Sequence, residues 1–243
     1  MIKFLFKGIL RDRSRSLLPV IIVSIGVLLT VFLSGYFTGV FGDIIDINAK
    51  FTSGHVKIMT RVYAENKDQV PNDLALMEVG ELKTKLNLEY SEMEWVSRTH
   101  FGGLIDVPDE NGETRAQGPA AGRAVDLFSP ESQEIERMNI GNSVVKGVIP
   151  TKSGEAIISD DFAERFSVNI GDEVTLFGST MNGSMMFHNF IVSGTIRFGP
   201  AMLDRGAIII DITDAQMILD MEDAASEVLG YFKDGLYDTE KAG

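Results

Sequence analysis

The sequence RDRSRSLLPVIIVSIGVLLTVFLSGYFTGVFGD, residues 11–43, contains 27 consecutive residues without a charged side chain, from Ser16 to Gly42. Sixteen of them are Leu, Ile, Val or Phe. A helix of that length reaches about 40 Å, whereas the hydrocarbon core of a bilayer is roughly 30 Å thick. Each large apolar residue contributes about −0.3 to −0.6 kcal/mol to insertion, and no charge opposes them. The pattern predicts a transmembrane helix over residues 17–42.

Two other interpretations of this run fit less well. A cleaved secretory signal has an apolar region of about 7 to 15 residues followed by an A-x-A-like cleavage site. This run is about twice as long, and its best candidate cleavage site, VFG at 40–42, matches that pattern poorly. A buried helix of a soluble protein would have a polar face. No charged residue interrupts this run and its few hydroxyl groups do not form a strongly polar face, so a permanent membrane span is the favoured interpretation.

The charges on either side of the run predict its orientation. Residues 1–42 carry five basic residues and one acidic residue, a net charge of +4, and residues 43–243 carry the remaining −17. Because flanking basic residues stay in the cytoplasm, residues 1–16 are predicted to be cytoplasmic and residues 43 onward to lie on the other side of the membrane. The basic segment either lies along the inner headgroups as an amphipathic helix or supplies only flanking charge. The residues that set the topology are Lys3, Lys7, Arg11, Arg13 and Arg15.

Composition excludes several functions for the acidic part of the chain. A net charge of −17 repels phosphate backbones, so nucleic acid is not an expected partner. The sequence has no cysteine, which removes disulfides, thiolate metal sites and a cysteine nucleophile. His55, His100 and His188 are far apart, and none has a second ligand at helical spacing. No phosphate-binding or hydrolase motif is present. We therefore expect no catalytic residue, no metal and no cofactor.

Beyond the span, short strands and short helices predict an α+β domain. In the first half we expect a strand at 54–60, a helix around 77–87, and a hairpin formed by residues 94–107 and 112–125. In the second half, Ser159 is expected to cap a short helix. Thr213 and Gln216 have the spacing of a capping box.

A hairpin is predicted at residues 177–190, FGSTMNGSMMFHNF, between two strands. The Asn-Gly pair at 182–183 is typical of a type I′ turn. A hairpin tip exposes its side chains, and flexible methionines suit a surface that binds varied apolar partners. Folding of these methionines back onto the domain as ordinary core is the alternative. The predicted partner-contact residues are Met181, Asn182, Gly183, Met185, Met186 and Phe187.

These features together resemble the N-terminal part of FtsX-like ABC-transporter permeases, the family of MacB-type exporters and LolC/LolE-like lipoprotein-releasing subunits. The resemblance lies in the basic LRDRSRS segment before the first span, in the units GEAIISDDFAERFSVNIGDEVTL and FIVSGTIRFGPAMLDRGAIIIDITDAQMIL, and in their order. It covers nearly the whole sequence. The LDRGAIIIDITDAQ portion is more similar to the lipoprotein-releasing branch.

The resemblance implies a periplasmic domain of two mixed subdomains. A porter-like βαββ subdomain would comprise residues 43–125 and about 226–243. A β-rich, sabre-like subdomain would comprise residues 126–225 and carry the hairpin. In lipoprotein-releasing relatives, a hairpin at the equivalent place contacts a periplasmic carrier protein, which implies a partner-contact role for residues 177–190.

The implied function is that of an inner-membrane permease subunit, which couples ATP hydrolysis by a cytoplasmic ABC ATPase to periplasmic conformational change during release or export of lipoproteins or lipids. The implied partners are that ATPase, a second permease copy or paralogue, membrane lipid and a periplasmic protein. Family permeases have four spans, three of them after the periplasmic domain, and this sequence has one. We therefore expect the N-terminal portion of a permease. The alternative is a single-span membrane-anchored periplasmic binding or sensor domain.

Overall fold

The computed structural model describes residues 13–233, with side chains from residue 17 onward except those of Asp43 and Asp46. Helices and strands are mixed along the chain, and most strand pairs are antiparallel, so the α+β class is confirmed. The helices are α1 (Arg13–Asn48), α2 (Arg61–Asn66), α3 (Val79–Glu89), α4 (Glu134–Arg137), α5 (Ile140–Ser143), α6 (Asp160–Phe166), α7 (Ala201–Asp204) and α8 (Ile212–Ile218). The strands are β1 (Val56–Ile58), β2 (Leu76–Met77), β3 (Met93–Pro108), β4 (Thr114–Val125), β5 (Val144–Gly147), β6 (Glu155–Ser159), β7 (Glu173–Ser179), β8 (Met185–Ile196), β9 (Ala207–Asp211), β10 (Ala224–Ala225) and β11 (Glu227–Phe232). Single turns of π or 3₁₀ helix cover Ala49–Ser53, Lys67–Gln69 and Asn72–Leu74.

Six strands of the domain that follows α1 pair in a closed ring, in the order β3, β4, β9, β6, β8, β7 and back to β3. The β4–β9 and β6–β8 pairs are parallel and the other four are antiparallel. Closure leaves these strands without an open edge over the paired stretches. Alternate side chains of the ring form the main core with residues of α6 and α8; its fully buried members include Ile105, Leu176, Phe190, Ile208 and Ile210.

Strand β3 belongs to two sheets because it is 16 residues long. Residues from Thr99 onward pair with β4 in the ring, in the hairpin that the sequence predicts. Residues 93–98 pair instead with β11, which in turn pairs with β1. Helix α3, close to its predicted position, covers one face of this three-stranded sheet through Val79, Leu82 and Leu86.

The caps of two short helices test local sequence rules. Ser159 caps α6 as predicted, because its hydroxyl accepts a hydrogen bond from the Phe162 amide. The capping box at Thr213 is wrong. Helix α8 begins two residues earlier, and Asp211 is its cap, with Oδ1 accepting from the Thr213 amide at 2.8 Å. An aspartate is a cap at least as strong as threonine, so it fixes the helix start.

Within the described residues, 53–233 form one compact unit and 13–52 another. Strand pairing crosses the predicted subdomain boundary at 125/126, since β4 pairs with β9 and β3 pairs with β7. Strand β11 returns to β3, as expected for residues 226 onward. The division into a porter-like and a sabre-like subdomain stays a prediction, and its last residues, 234–243, lie outside the described part of the chain.

Candidate functional site

Helix α1 carries the predicted span, and the apolar stretch Leu17–Gly42 has a mean hydropathy of 2.7 with none of it buried in the protein. The helix has 36 residues, about 54 Å, and continues six residues past Gly42. Two hydroxyl groups in the span bond to its own backbone: Thr30 Oγ1 donates to Gly26 O at 2.8 Å, and Thr38 Oγ1 to Ser34 O at 2.9 Å. Lipid offers no partner for a hydroxyl, so these bonds lower the cost of burial in a bilayer.

The basic residues that are predicted to set the topology lie at and before the start of α1. Arg13 and Arg15 are in its first turns. Lys3, Lys7 and Arg11, with the predicted amphipathic segment, lie outside the described residues. Their role in orientation stays a prediction.

The predicted hairpin is formed by β7 and β8, but its turn differs from the expected type. The Thr180 amide donates to Ser184 O at 2.9 Å and the Gly183 amide to Thr180 O at 3.0 Å. Gly183 has a φ of +77°, whereas Asn182 is not among the residues with positive φ. A type I′ turn needs positive φ at both central residues, so the prediction is wrong. The loop is a type I turn followed by a left-handed glycine, the usual three-residue connection.

The six predicted contact residues face three different environments. Met185 and Phe187 are exposed, with 85% and 71% of their surface accessible, whereas Met186 is 5% exposed and belongs to the core. Met181 is half-buried against that core, and its amide donates to Leu219 O at 2.8 Å. The expectation of exposure is therefore wrong for Met186 and only partly right for Met181. Strand alternation is the cause, since adjacent residues of β8 point to opposite sides.

Two further residues, which the sequence reasoning missed, join the exposed ones. In the registers of β3, β7 and β8, Leu104 lies opposite Phe177, and Phe177 lies opposite Phe187. Residues directly opposite each other lie on the same face, so these side chains continue the surface that Met185 begins. We call Leu104, Phe177, Met185 and Phe187 the apolar row. The sequence DEVTLF did contain a signal for this position. Val174 and Leu176 alternate as inward-facing residues of the strand, so Phe177 is expected to face outward.

A groove of about 790 Å³ lies beside the hairpin tip. Its walls are the loop of residues 68–73, residues 101–103 of β3 and residues 178–183, so the predicted residues Met181, Asn182 and Gly183 line it. Val70 in the loop wall has a φ of 50°, a left-handed conformation that is costly for a β-branched residue. The hairpin tip thus presents an open groove on one side, in addition to the exposed methionine and phenylalanine.

A network of buried charges holds β3, β11 and α4 together. Arg98 is 1% exposed and Glu134 0%, and Arg98 Nε lies 2.6 Å from Glu134 Oε2. Arg137 also bonds Glu134, lies 2.6 Å from Glu94, and stacks on the Tyr231 ring at 4.1 Å. Burial alone would lower the pKa of Arg98, but the charge and hydrogen bonds of Glu134 raise it overall. Burial raises the pKa of Tyr231 to about 12.

Strand β11 contributes a second buried carboxylate, Glu227, which is 2% exposed. Lys57 Nζ lies 2.6 Å from one of its oxygens and His100 Nε2 lies 3.0 Å from the other. Burial alone would raise the pKa of Glu227, but the hydrogen bond with His100 and the charges of His100 and Lys57 hold the pKa below its ordinary value. These contacts fix β1, β11 and β3 in register.

The three histidines have separate surroundings. His55 Nδ1 accepts a hydrogen bond from the Phe232 amide at 3.0 Å, and its ring packs on Tyr231 and Phe232. His100 contacts Glu227, as described above. The ring of His188 lies 4.8 Å from that of Phe190. Within the described residues, no group of three or more His, Asp or Glu side chains could hold a metal ion. The expectation of no catalytic or cofactor site stays a prediction.

Comparison with known proteins gives a family match and a likeness to solved structures. The family described as "MacB-like periplasmic core domain" matches residues 16–238. The structure is similar to the crystal structure of the periplasmic region of MacB from Actinobacillus actinomycetemcomitans, with a TM-score of 0.51 over 76% of this chain and 77% of that chain. The two sequences are 9% identical, so this likeness concerns the fold alone. No match was found among curated protein sequences.

The family match covers the apolar helix and nearly all of the domain that follows it. It agrees with the FtsX-like permease resemblance drawn from the sequence, and the structural likeness agrees with the observed fold. A periplasmic domain preceded by one apolar helix is the arrangement of a membrane-anchored protein. This chain therefore belongs to the MacB-like periplasmic core domain family, as part of an FtsX/MacB-type ABC-transporter permease.

Proposed function

We propose that this chain works in the bacterial inner membrane as the N-terminal portion of a permease, with its N-terminus in the cytoplasm and residues 43 onward in the periplasm. The observation that carries the proposal is the direct succession of the apolar stretch Leu17–Gly42 and a MacB-like periplasmic core domain. The positive charge before the span and the negative charge after it support this orientation.

In this role the chain transmits motion and does not hydrolyse ATP itself. A cytoplasmic ABC ATPase supplies the energy, and a second permease copy or paralogue completes the transporter. Helix α1 is about 24 Å longer than the hydrocarbon core, so it can carry a displacement beyond the membrane surface. Release or export of lipoproteins or lipids is the transport reaction that we propose, on the basis of the resemblance of residues 203–216.

We further propose that the hairpin is the contact site for a periplasmic protein. Met185 and Phe187 are the most exposed apolar side chains of the hairpin, and the apolar row extends their surface across three strands. Met181, Asn182 and Gly183 take part from the adjoining groove. Met186 supports the site from the core. An exposed apolar surface of this kind is typical of a protein interface.

Orientation can be tested by cysteine labelling, because the natural chain has no cysteine and gives no background. Asn111 lies in the exposed turn between β3 and β4. Asn111→Cys is expected to react with a membrane-impermeant maleimide in intact spheroplasts, and Lys7→Cys only after lysis. The opposite labelling pattern would overturn the proposed orientation.

The ATPase partnership can be tested by purification of the full-length protein from crosslinked, detergent-solubilised membranes. We expect an ABC ATPase to co-purify in stoichiometric amount. Its absence, with the permease intact, would favour an anchored binding or sensor domain.

The hairpin contact can be tested by site-specific photocrosslinking in the periplasm. A photoreactive phenylalanine at position 187 is expected to form a discrete adduct with a periplasmic protein. Position 202 is the matched control, since Met202 is also exposed, at 91%, but is on α7. Identical adducts from both positions, or none from position 187, would contradict the proposed contact.

A further inference from the structure

The first half of β3 has a strand on one side only. Residues 93–98 pair with β11, whereas pairing with β4 begins at Thr99 and pairing with β7 at Leu104. The Lys233 amide donates to Glu92 O at 3.1 Å, so the even-numbered residues of this stretch direct their backbone groups toward β11. The backbone groups of Met93, Trp95 and Ser97 therefore face the opposite edge, where the Met93 amide donates to Tyr90 O at 3.0 Å. No strand of the described chain pairs with that edge.

A groove of about 560 Å³ runs along this open edge. It is lined by all five residues from 93 to 97. Because successive side chains of a strand point to opposite faces, a cavity above one face would be lined by alternate residues, so this groove lies beside the edge of the strand. Residues of α3 form one wall and residues 126–132 contribute to the other. Five residues of strand extend about 13 Å, enough to pair with a peptide of four or five residues.

Hydrogen-bonding groups are left over at the same place. Trp95 Nε1 and Ser97 Oγ are buried side-chain atoms without a hydrogen-bond partner, and both residues line the groove. Buried polar groups are nearly always paired in native proteins, so unpaired ones require an explanation. A strand added to this edge brings backbone amides and carbonyls, which are the partners that these groups lack.

We propose that this groove binds an extended, basic segment of another protein, which adds to β3 as an additional strand. The charge of the lining favours a basic occupant. Arg137 neutralises Glu94 at 2.6 Å, and the remaining carboxylates, Asp126, Glu131 and Asp223, outnumber the amines Lys83 and Lys233. The proposal is independent of the hairpin contact and of any ATPase.

Trp95 is the single tryptophan of the chain, so intrinsic fluorescence reports on this groove directly. The test uses the full chain in nonionic detergent and the probe peptide acetyl-KVKVKVK-amide. We expect a saturable change in tryptophan emission. Two controls are acetyl-EVEVEVE-amide and a basic peptide with every backbone amide methylated, which keeps its charge but cannot donate to a strand. Both are expected to bind at least tenfold more weakly.

Two variants test the edge from the protein side. Ser97→Pro removes an amide that faces the groove and leaves the bonds to β11 in place, so it is expected to weaken binding at least tenfold. Ser97→Ala retains the amide and is expected to bind within about threefold of the natural chain. If Ser97→Pro fails to fold, the methylated peptide decides the question on the natural chain. Equal binding of the methylated or the acidic peptide, or no saturable response, would overturn the proposal.

Discussion

Arg98 is the largest fully buried side chain in the described part of the protein, and Glu134 lies at hydrogen-bonding distance from its Nε. Desolvation of two charges costs several kcal/mol each, so such a pair adds little net stability over apolar residues of the same shape. Loss of one partner is different, because it leaves an uncompensated charge in the interior. The pair therefore specifies how α4 docks on β3.

Removal of the Glu134 charge should be far more damaging than removal of an exposed one. Glu134→Gln is expected to lower the free energy of unfolding by about 3–5 kcal/mol, as measured by urea unfolding of the full chain in detergent. Glu65→Gln is the matched control. Its carboxylate pairs with Arg61 at 3.0 Å on the surface, where the expected loss is below about 0.5 kcal/mol. Similar losses for both variants would contradict the buried-pair argument.

Glu227 should make stability depend on pH in the acidic range. Its pKa in the folded protein lies below the ordinary 4.5, so ionised Glu227 stabilises the fold above that pH, and the contribution is lost as the pH falls through the folded pKa. Glu227→Gln is therefore expected to be destabilised most at neutral pH, with the difference from the natural chain shrinking below about pH 4.5. A difference that is constant from pH 7 to pH 3 would refute this linkage.

At the scale of elements, the sequence predicted helices and hairpins correctly where the local pattern was strong. It failed where a neighbouring residue competed for the same hydrogen bond or turn. The hairpins, helix α3 and the Ser159 cap follow from turn chemistry and periodicity. The turn type at Asn182 and the cap at Thr213 were wrong, because the Met181 amide is bonded to Leu219 and because Asp211 competes for the cap. The β11–β3 pair joins residues more than 120 positions apart, so no local pattern could reveal it.

Two left-handed glycines should differ in how they tolerate a methyl group. Gly183 has a φ of +77° with open space around it, whereas a Cβ on Gly206, φ +66°, would lie 2.3 Å from Pro119 O. Gly183→Ala is expected to cost only the conformational penalty of about 1–2 kcal/mol. Gly206→Ala must also displace backbone at the β4–β9 pair and should cost more. Thermal melts of both variants measure this, and equal shifts would show that the loop before β9 yields easily.

At the scale of the whole molecule, the sequence predicted the span and the domain class, because apolar length and charge asymmetry act over many residues. The closed ring was not predicted, since the β3–β7 pair that closes it joins residues far apart in the sequence, such as Leu104 and Phe177. The apolar row follows from that closure. Sequence alone therefore located the hairpin but misjudged which of its methionines are accessible.

The domain should outlast removal of its membrane helix. The main core lies entirely within residues 53–233, so a chain of residues 53–243 is expected to remain in the soluble fraction and to melt cooperatively. The full chain, with its 26-residue apolar stretch, should instead stay in the pellet after carbonate extraction. Pelleting of the shortened chain would indicate a further membrane-binding surface.

The sharing of β3 between the ring and the β1–β11 sheet has a mechanical consequence. A pull applied at Lys233 along the axis of β11 would load all six residue pairs between Glu227–Phe232 and 93–98 at once. Hydrogen bonds that are loaded together in shear resist far more force than hydrogen bonds that are broken one at a time. Tension applied at Lys233 would therefore be transmitted to the closed ring without separating β11 from β3.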